Sequence, residues 1–462
     1  MKTYQDLLEV GENDQDRMEF VRALINDHQA TNLFRTAQIA DEYAKKRNRT
    51  IMQYQKMLYT ISGNAVPDNW GANYKIPSSF FKRFVTQQNQ YLLGNGVSWG
   101  NPETGEKLGK MFDTRLQQIG KKALIGGVAF GFWNLDHVEV FSVLEFAPLY
   151  DEENGALSSG VRYWQIDPSK PLRATLYEMD GYTEYIWRDG IGSILRPKRS
   201  YKVNFKYTDA DGEMIFDGEN YPAFPIVPLY ANDDHQSEIV GIREGIDCYD
   251  FVKSGYADDL HDISQIFWTI HNAGGMDDID LAGFVQRLKT VHAAAVQDGQ
   301  TVEAHTQEVP YSARQTMLEI ISKDLYRDFM ALDTENIAAG AITATQIKAA
   351  YTPPDNKVDE YEYQVGEFIQ GILNVAGIDD TWSFTRSKIV NTTETITNLV
   401  QAAEYLAPDY ITRKILEELG DGDKADEMLA QMAADEIDRF NAESDEEEQN
   451  TNAPAEEGGG EV

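Results

Sequence analysis

Cysteine is all but missing from this chain: Cys248 is the single one in 462 residues. No intrachain disulfide can form, and one thiol cannot build a Cys-rich zinc site. Cys248 falls in a helical pattern and reads as a small buried residue in a reducing compartment. Basic residues are scarce as well, 41 Lys and Arg against 76 Asp and Glu, for a net charge of −35. That balance excludes a protein that grips nucleic acid by neutralising phosphates, which needs clustered Lys and Arg. Long apolar runs are absent too. The most apolar stretch, residues 123–133, is too short to span a bilayer, and the first residues lack the apolar core of a signal peptide. A soluble protein is expected. The 7 histidines form neither an HExxH pair nor a Cys/His cluster.

What is present points to a large folded protein. Hydrophobic residues make up 42% and aromatics 11%, enough for two to four folding units with buried cores. Residues 15–48 read as two helices, the first striped by Met18, Val21, Leu24 and Ile25. Residues 80–93 form another, stopped by Asn95-Gly96. Residues 113–133 read as a helix running into a strand, where Gly126, Gly127 and Gly131 allow close backbone approach. From 138 to about 228 the texture is a β-meander. Its short Val-, Tyr-, Ile- and Thr-rich runs are punctuated by Asn154-Gly155, Asp180-Gly181, Asp189-Gly190 and Asp211-Gly212.

The most informative stretch is 239–270. Ile239, Ile242, Ile246, Tyr249, Val252, Tyr256, Leu260, Ile263, Phe267 and Ile270 follow one another in steps of three or four. The spacing predicts one helix of about 48 Å. A second covers about 314–338, striped by Leu318, Ile321, Leu325, Phe329 and Leu332. Between them lies a compact insert, 271–312, with a helix at 279–288. Two strands, 289–297 and 301–308, are expected to join at Asp298-Gly299. An Ala/Gly/Thr-rich segment, 338–351, precedes a third helix starting at Pro353-Pro354. A strand near 382–390 and helices over 393–440 follow, broken at 406–409 and 420–423. The tail, 441–462, carries eight acidic residues and no basic ones and reads as disordered.

Motifs for chemistry are thin. Gly100 to Lys107 has the two glycines of a phosphate loop, but Glu106 stands where Lys is needed and would repel phosphates. Gly94-Asn95-Gly96 lacks the third glycine of a dinucleotide fingerprint. Asp258, Asp259, His261 and Asp262 offer metal-ligand atoms, yet read better as a polar face opposite Leu260 and Ile263. Asp233-Asp234-His235 reads as a polar loop. No nucleophile elbow occurs. The modest basic clusters, Lys45, Lys46, Arg47 and Arg49, and Arg196, Lys198 and Arg199, read as solvated surface. No enzyme activity, metal or cofactor is expected.

The order of elements, and several segments, resemble the phage portal protein family of the siphophage type. Asn73-Tyr74-Lys75-Ile76-Pro77, then Phe80, Arg83, Phe84 and Val85, then Tyr91-Leu92-Leu93-Gly94 resemble its early segment. Lys122 to Ala129 looks like its helix-to-strand entry, and Phe224 to Asn232 is similar to the segment before its stem. Ile246-Asp247-Cys248-Tyr249-Asp250 with Ser254 resembles the first stem helix. Thr343 to Lys348 resembles the tunnel loop, with Ala344-Thr345 where relatives often carry Ser-Gly. Glu394 and the helix from Thr412 resemble the crown. The resemblance covers roughly 30–440; the N-terminal match is modest and the tail unusually acidic.

The resemblance implies an α+β portal fold with long stem helices, an α/β clip insert, a β-rich wing and a helical crown. The implied bounds are 1–238 for N-terminal helices and wing, 239–270 for the first stem helix, 271–312 for the clip and 313–338 for the second stem helix. They continue as 339–354 for the tunnel loop, 355–393 for a wing return helix and strand, 394–440 for the crown and 441–462 for the tail. It implies a ring of about twelve subunits at one capsid vertex. Double-stranded DNA would pass through it without sequence specificity during packaging and ejection. Partners would be the terminase large subunit, a head-completion adaptor, and major capsid and scaffolding proteins, with no membrane. The protein would sit in the virion after assembly in the host cytoplasm. Thr343, Thr345, Gln346 and Lys348 would face the channel. Lys289, His292, Asp298, Gly299, Glu303 and His305 would form the clip's docking surface. Ile246, Tyr249, Tyr256, Leu260, Phe267, Leu325 and Phe329 would pack the stem. The competing expectations are another ring-forming head or tail protein without a packaging role, an enzyme with an acidic metal site, and a globular binding protein.

Overall fold

A computed structural model describes residues 2–59, 63–69, 71–208, 214–262, 267–271, 301–305, 311–334, 344–388, 392–419 and 422–434. The chain divides into two units, residues 1–338 with 350–387, and residues 339–349 with 388–462.

The first unit opens with α1 (Tyr4–Val10), α2 (Asp14–Ala30), α3 (Asn32–Ala44) and α4 (Arg49–Gln53). The first three starts have their caps, and Thr31 caps α3 by accepting from Phe34 N–H. Thr3 and Asp6 exchange the two bonds of a capping box, and the Asn13 side chain accepts from Gln15 and Asp16. α3 ends in a Schellman-type turn with Lys46 at φ +59°, Lys46 N–H bonding Tyr43 and Arg47 N–H bonding Glu42. A two-stranded ribbon, β1 (Met57–Tyr59) and β2 (Ala65–Pro67), leads to α5 (Phe80–Leu93), whose bounds are those the periodicity predicts. Then come β3 (Val97–Trp99), α6 (Pro102–Lys107) and α7 (Phe112–Gly126), the last running into β4 (Val128–Asn134).

The expected meander is there. It consists of β5 (His137–Ser142), β6 (Phe146–Tyr150), β7 (Leu157–Trp164), β8 (Leu172–Glu178), β9 (Gly181–Arg188), β10 (Ile191–Arg199), β11 (Lys202–Thr208), β12 (Met214–Glu219) and β13 (Ile226–Tyr230). Strands β6 to β10 make one antiparallel sheet in sequence order, while β13, β4 and β5 make another. Asp189 (φ +50°) and Gly190 (φ +81°) form the two-residue turn between β9 and β10, the left-handed pair that right-twisted hairpins need. Asp211-Gly212 lies outside the described residues.

Helix α2 covers the five-stranded sheet. Phe20, Val21, Leu24 and Ile25 interlock with Leu149, Val161, Leu176 and Tyr185, all buried. Strand β10 is one edge of that sheet. Register shifts interrupt it, and its Arg196, Lys198 and Arg199 blunt it against further pairing.

The later helices depart from expectation. The helix expected over 239–270 is α8 (Arg243–Asp262), and the chain at 267–271 is a strand, β14 (Phe267–His271). Apolar spacing of three and four continues into this segment, but Phe-Trp-Thr-Ile is also rich in strand formers. Its backbone pairs antiparallel with β15 (Thr301–His305), Phe267 opposite His305 and Ile270 opposite Val302. The expected partner strand of 301–308, residues 289–297, lies outside the described residues, as do the helix at 279–288 and the turn at Asp298-Gly299.

The helix expected to reach 338 is α9 (Tyr311–Phe329). It stops in a second Schellman-type turn with Met330 at φ +60°, Ala331 N–H reaching Tyr326 O. The loop expected over 339–354 is helical from Ala344. α10 (Ala344–Ala376) runs through Pro353 and Pro354 although both lack the N–H of the helical ladder. Tyr351, buried and stacked on Tyr91 at 5.7 Å, anchors the turn before the prolines, so packing outweighs the local penalty. β16 (Trp382–Phe384) then pairs with β3.

In the second unit, α11 (Thr392–Ala402), α12 (Pro408–Leu419), a 3-10 turn (Gly422–Lys424) and helical residues 425–434 follow one another; the first break falls at 403–407, a little before the expected 406–409, and residues 420 and 421 of the second expected break lie outside the described residues. Among the described residues no helix is long and apolar enough to cross a membrane.

Candidate functional site

Helices α8 and α9 form an antiparallel pair. Near the base Gly245 lies under Leu325, where a Cβ would come within 2.9 Å of the leucine's Cδ2. Further along, Tyr256 meets Tyr311 edge-on at 5.8 Å, and Asp259 pairs with Arg314. The base is aromatic. Phe80 and Phe84 of α5 contact Tyr249 (4.9 Å), Tyr326 (5.2 Å) and Phe329 (4.7 Å, stacked). Such ring pairs add about 0.5–1.5 kcal/mol each beyond the area they bury. Lys357 of α10 lies 3.5 Å over the Phe329 ring while its ammonium pairs with Glu238 at 2.5 Å, which fixes the foot of α9 to the body.

The opposite flank of α8 is polar, and it is buried. Asp250, Ser254 and Asp258 stand four residues apart and accept hydrogen bonds from the backbone N–H groups of Ser78 (2.8 Å), Ile76 (3.1 Å) and Tyr74 (2.7 Å). The match is geometric. Four helical residues rise about 6 Å, and two extended residues advance about 6.6 Å, so every second N–H of residues 74–78 finds every fourth side chain of α8. Pro77, with no N–H, takes the outward phase. Asn48 donates to the second oxygen of Asp250 and to the Ser78 carbonyl. Burial pushes the Asp250 carboxyl up, against the hydrogen bonds from Asn48 and Ser78. One turn earlier, Asp247 accepts from Thr50 at 2.7 Å and from Tyr43. Burial and the Asp247 bond together raise the Tyr43 phenol. Asp258 does lie on a polar face of α8, but that face is the covered one: Asp258 is buried and Leu260 is 47% exposed. Cys248, expected buried, is exposed. The spacing Asp250, Ser254, Asp258 does mark a stripe, but nothing local tells that a segment from elsewhere in the chain covers it.

The model of the family described as "Phage portal protein, SPP1 Gp6-like" matches residues 23–450. The chain belongs to this phage portal protein family. It is 23% identical to the portal protein of Bacillus phage SPP1, over 95% of this chain and 92% of that one. It is 30% identical to the portal protein of Clostridium phage phiCD119, over 70% of this chain and 77% of that one. A chain in the neck of an empty GTA particle superposes with a TM-score of 0.43 at 11% identity, covering 72% of this chain and 88% of that one.

In this portal-family chain the residues singled out by sequence fall as follows. Ile246, Leu325 and Phe329 are buried at the base of the helix pair, Tyr249 and Tyr256 are half-buried, and Leu260 is exposed. Phe267 stands in β14, not in a helix. Thr345, Gln346 and Lys348 lie in the first turns of α10, where Gln346 and Lys348 are exposed. Thr343 lies outside the described residues. Glu303 and His305 sit on β15, opposite Thr269 and Phe267. Lys289, His292, Asp298 and Gly299 lie outside the described residues.

The loops weighed for chemistry are structural. Residues of the Gly100–Lys107 motif form the short α6, where Asn101 N–H meets the Asp380 carboxylate at 3.1 Å, a place no phosphate could share. His235 stacks on Tyr230 at 3.6 Å, and Asp233 accepts from Gln364. Among the described residues no group of three His, Cys, Asp or Glu side chains is placed to hold a metal ion.

Proposed function

We propose that this portal-family chain is one subunit of a ring of about twelve at a single capsid vertex, through which double-stranded DNA enters the head and later leaves. Family membership across residues 23–450 carries the reading, since that span includes α8, α9 and everything between them. In this reading α8 and α9 are the stem, the segment between them the clip, residues 1–238 the N-terminal helices and wing, and 394–440 the crown. Leu260, Met317 and Ile320 are 43–49% exposed on the helix pair, apolar surface that neighbouring subunits would cover.

Thr343, Thr345, Gln346 and Lys348 are assigned to the channel. Lys289, His292, Asp298, Gly299, Glu303 and His305 are assigned to a docking surface for the terminase large subunit and then a head-completion adaptor. Chemical energy for packaging would come from the terminase; this chain supplies the conduit and contacts to capsid and scaffolding proteins. The acidity fits passage rather than grip. Phosphates held by Lys and Arg release counterions and bind tightly, whereas acidic walls repel them, and salt confines that repulsion to about 8–10 Å.

Native mass spectrometry with electron micrographs of the same sample tests the assembly. A ring of about twelve chains with a hole wide enough for duplex DNA is expected. A stable monomer or dimer under assembly conditions would overturn the reading.

A further inference from the structure

Several cations of this acidic chain are spent on its own carboxylates. Arg196 and Arg199 share Glu184 at 3.3 and 2.7 Å, Lys198 reaches Glu178 at 3.3 Å, Lys45 pairs with Asp41 at 2.6 Å, and Arg49 with Glu42 at 2.7 Å. These residues belong to the basic clusters that stand out in the sequence: Arg196, Lys198 and Arg199 are all paired within the fold, as are Lys45 and Arg49 of the other cluster. Three cations that do not stand out there behave differently. Arg22 on α2, Lys170 in the loop between β7 and β8, and Arg188 at the end of β9 are all exposed, and among the described residues none has a carboxylate partner. All three line one cleft of about 820 Å³.

The cleft is built rather than incidental. Its floor is apolar, made by Met18, Leu172 and Trp187. Gly192 keeps that floor tight, since a Cβ there would fall 2.5 Å from the Met18 sulfur and 2.7 Å from the Trp187 indole nitrogen. One rim is the Asp189-Gly190 turn. The other is stiffened by Pro168 and Pro171 and tied internally, Gln165 donating to the Lys170 carbonyl at 2.8 Å and Lys170 N–H to Asp167 at 2.8 Å. Two acids also line it, Glu19, which accepts from Gln15 at 2.6 Å, and Asp189, so the lining carries a small positive charge inside a chain of −35.

We propose that this cleft docks an acidic peptide segment of a partner protein, its carboxylates meeting Arg22, Lys170 and Arg188 while an apolar side chain rests on Trp187, Met18 and Leu172. A few carboxylates fit the local field and escape the rest of the molecule, which salt screens beyond about 8 Å. A nucleic acid is disfavoured. Its continuous charge would run on past the three cations into the acidic surface, and its backbone gains nothing from an aromatic, aliphatic floor. The proposal stands whether or not the chain forms a ring.

The test uses the full chain, its assembly state checked by size exclusion, and fluorescence anisotropy of a labelled peptide, Glu-Asp-Leu-Glu-Glu-Phe. Saturable binding is expected. Arg22→Glu with Arg188→Glu should weaken it at least about tenfold, whereas Arg35→Glu with Arg47→Glu, the same charge change at two exposed arginines elsewhere, should alter it by less than about threefold. Absence of saturable binding overturns the proposal, as does an equal loss in both double variants, which would mean net charge alone. A short single-stranded oligonucleotide binding more tightly than the peptide, and losing that binding in the cleft variant, would overturn it in favour of phosphate recognition.

Discussion

His28 shows how one side chain couples the N-terminal helices to acidity. It is 2% exposed, its Nε2 bonds the Val143 carbonyl at 2.7 Å, and its ring meets the edges of Phe34 and Tyr163 at 5.4 and 6.2 Å. Burial lowers its pKa, with the bond to Val143 opposing. A base lowered in the folded state binds fewer protons there than in the unfolded chain. Its contribution is therefore complete above the ordinary value of 6.5 and is lost as pH falls from there through the lowered folded value. Urea unfolding between pH 7.5 and about 5 should show stability dropping on the acid side. In His28→Gln that drop should shrink; an unchanged slope would show that other groups carry it. Gly131 marks how far single residues can be read. A glycine inside an apolar strand signals close approach, and a Cβ there would fall 2.6 Å from Phe368. The partner, far along the chain on α10, is invisible to any local pattern.

Elements were legible where one physical signal dominates. α5, α7 and the meander follow from clean periodicity and from Asn-Gly and Asp-Gly turns, which leave little else for the chain to do. The errors share a cause, tertiary pairing overriding a local signal. β14 continues a helical spacing but is held by β15, α10 passes through two prolines because Tyr351 is anchored, and the polar stripe of α8 is covered by residues 74–78. That last contact makes a sharp prediction. Asp250→Ala strands the Ser78 N–H and the Asn48 amide in a buried site and should cost about 2–5 kcal/mol, whereas Ser254→Ala strands only the Ile76 N–H and should cost about 1–2 kcal/mol. Chemical denaturation gives both. Equal small losses would mean that water replaces the ladder. Asp250 also has the opposite pH sign to His28. Its raised folded value makes its contribution fullest below the ordinary 3.8 and lost as pH rises through the folded value. Asp250→Asn, which keeps an acceptor and cannot ionise, should therefore gain on the parent chain as pH rises.

At the scale of the whole molecule, the resemblance to the portal family was legible in the order of weak segments rather than in any one of them, and the family model over residues 23–450 bears it out. What the single chain leaves uncovered then carries the assembly prediction. Met317 and Ile320 lie one turn apart on α9, 43% and 49% exposed, beside buried Ile321 and Leu325. A lysine at 320 displaces no core atom, so a lone subunit should keep its fold, and the surface change should fall within about 0.5 kcal/mol. If neighbouring subunits cover this face, the same lysine places a charge in an apolar contact without a partner, once in every repeat of the ring. Ile320→Lys should then show an unchanged circular dichroism spectrum and a native mass spectrum shifted from rings to monomers. Ile320→Met, which keeps the apolar surface, should assemble normally. Rings formed by the lysine variant as readily as by the parent chain would mean that α9 faces solvent in the assembly and that another surface carries the subunit contact.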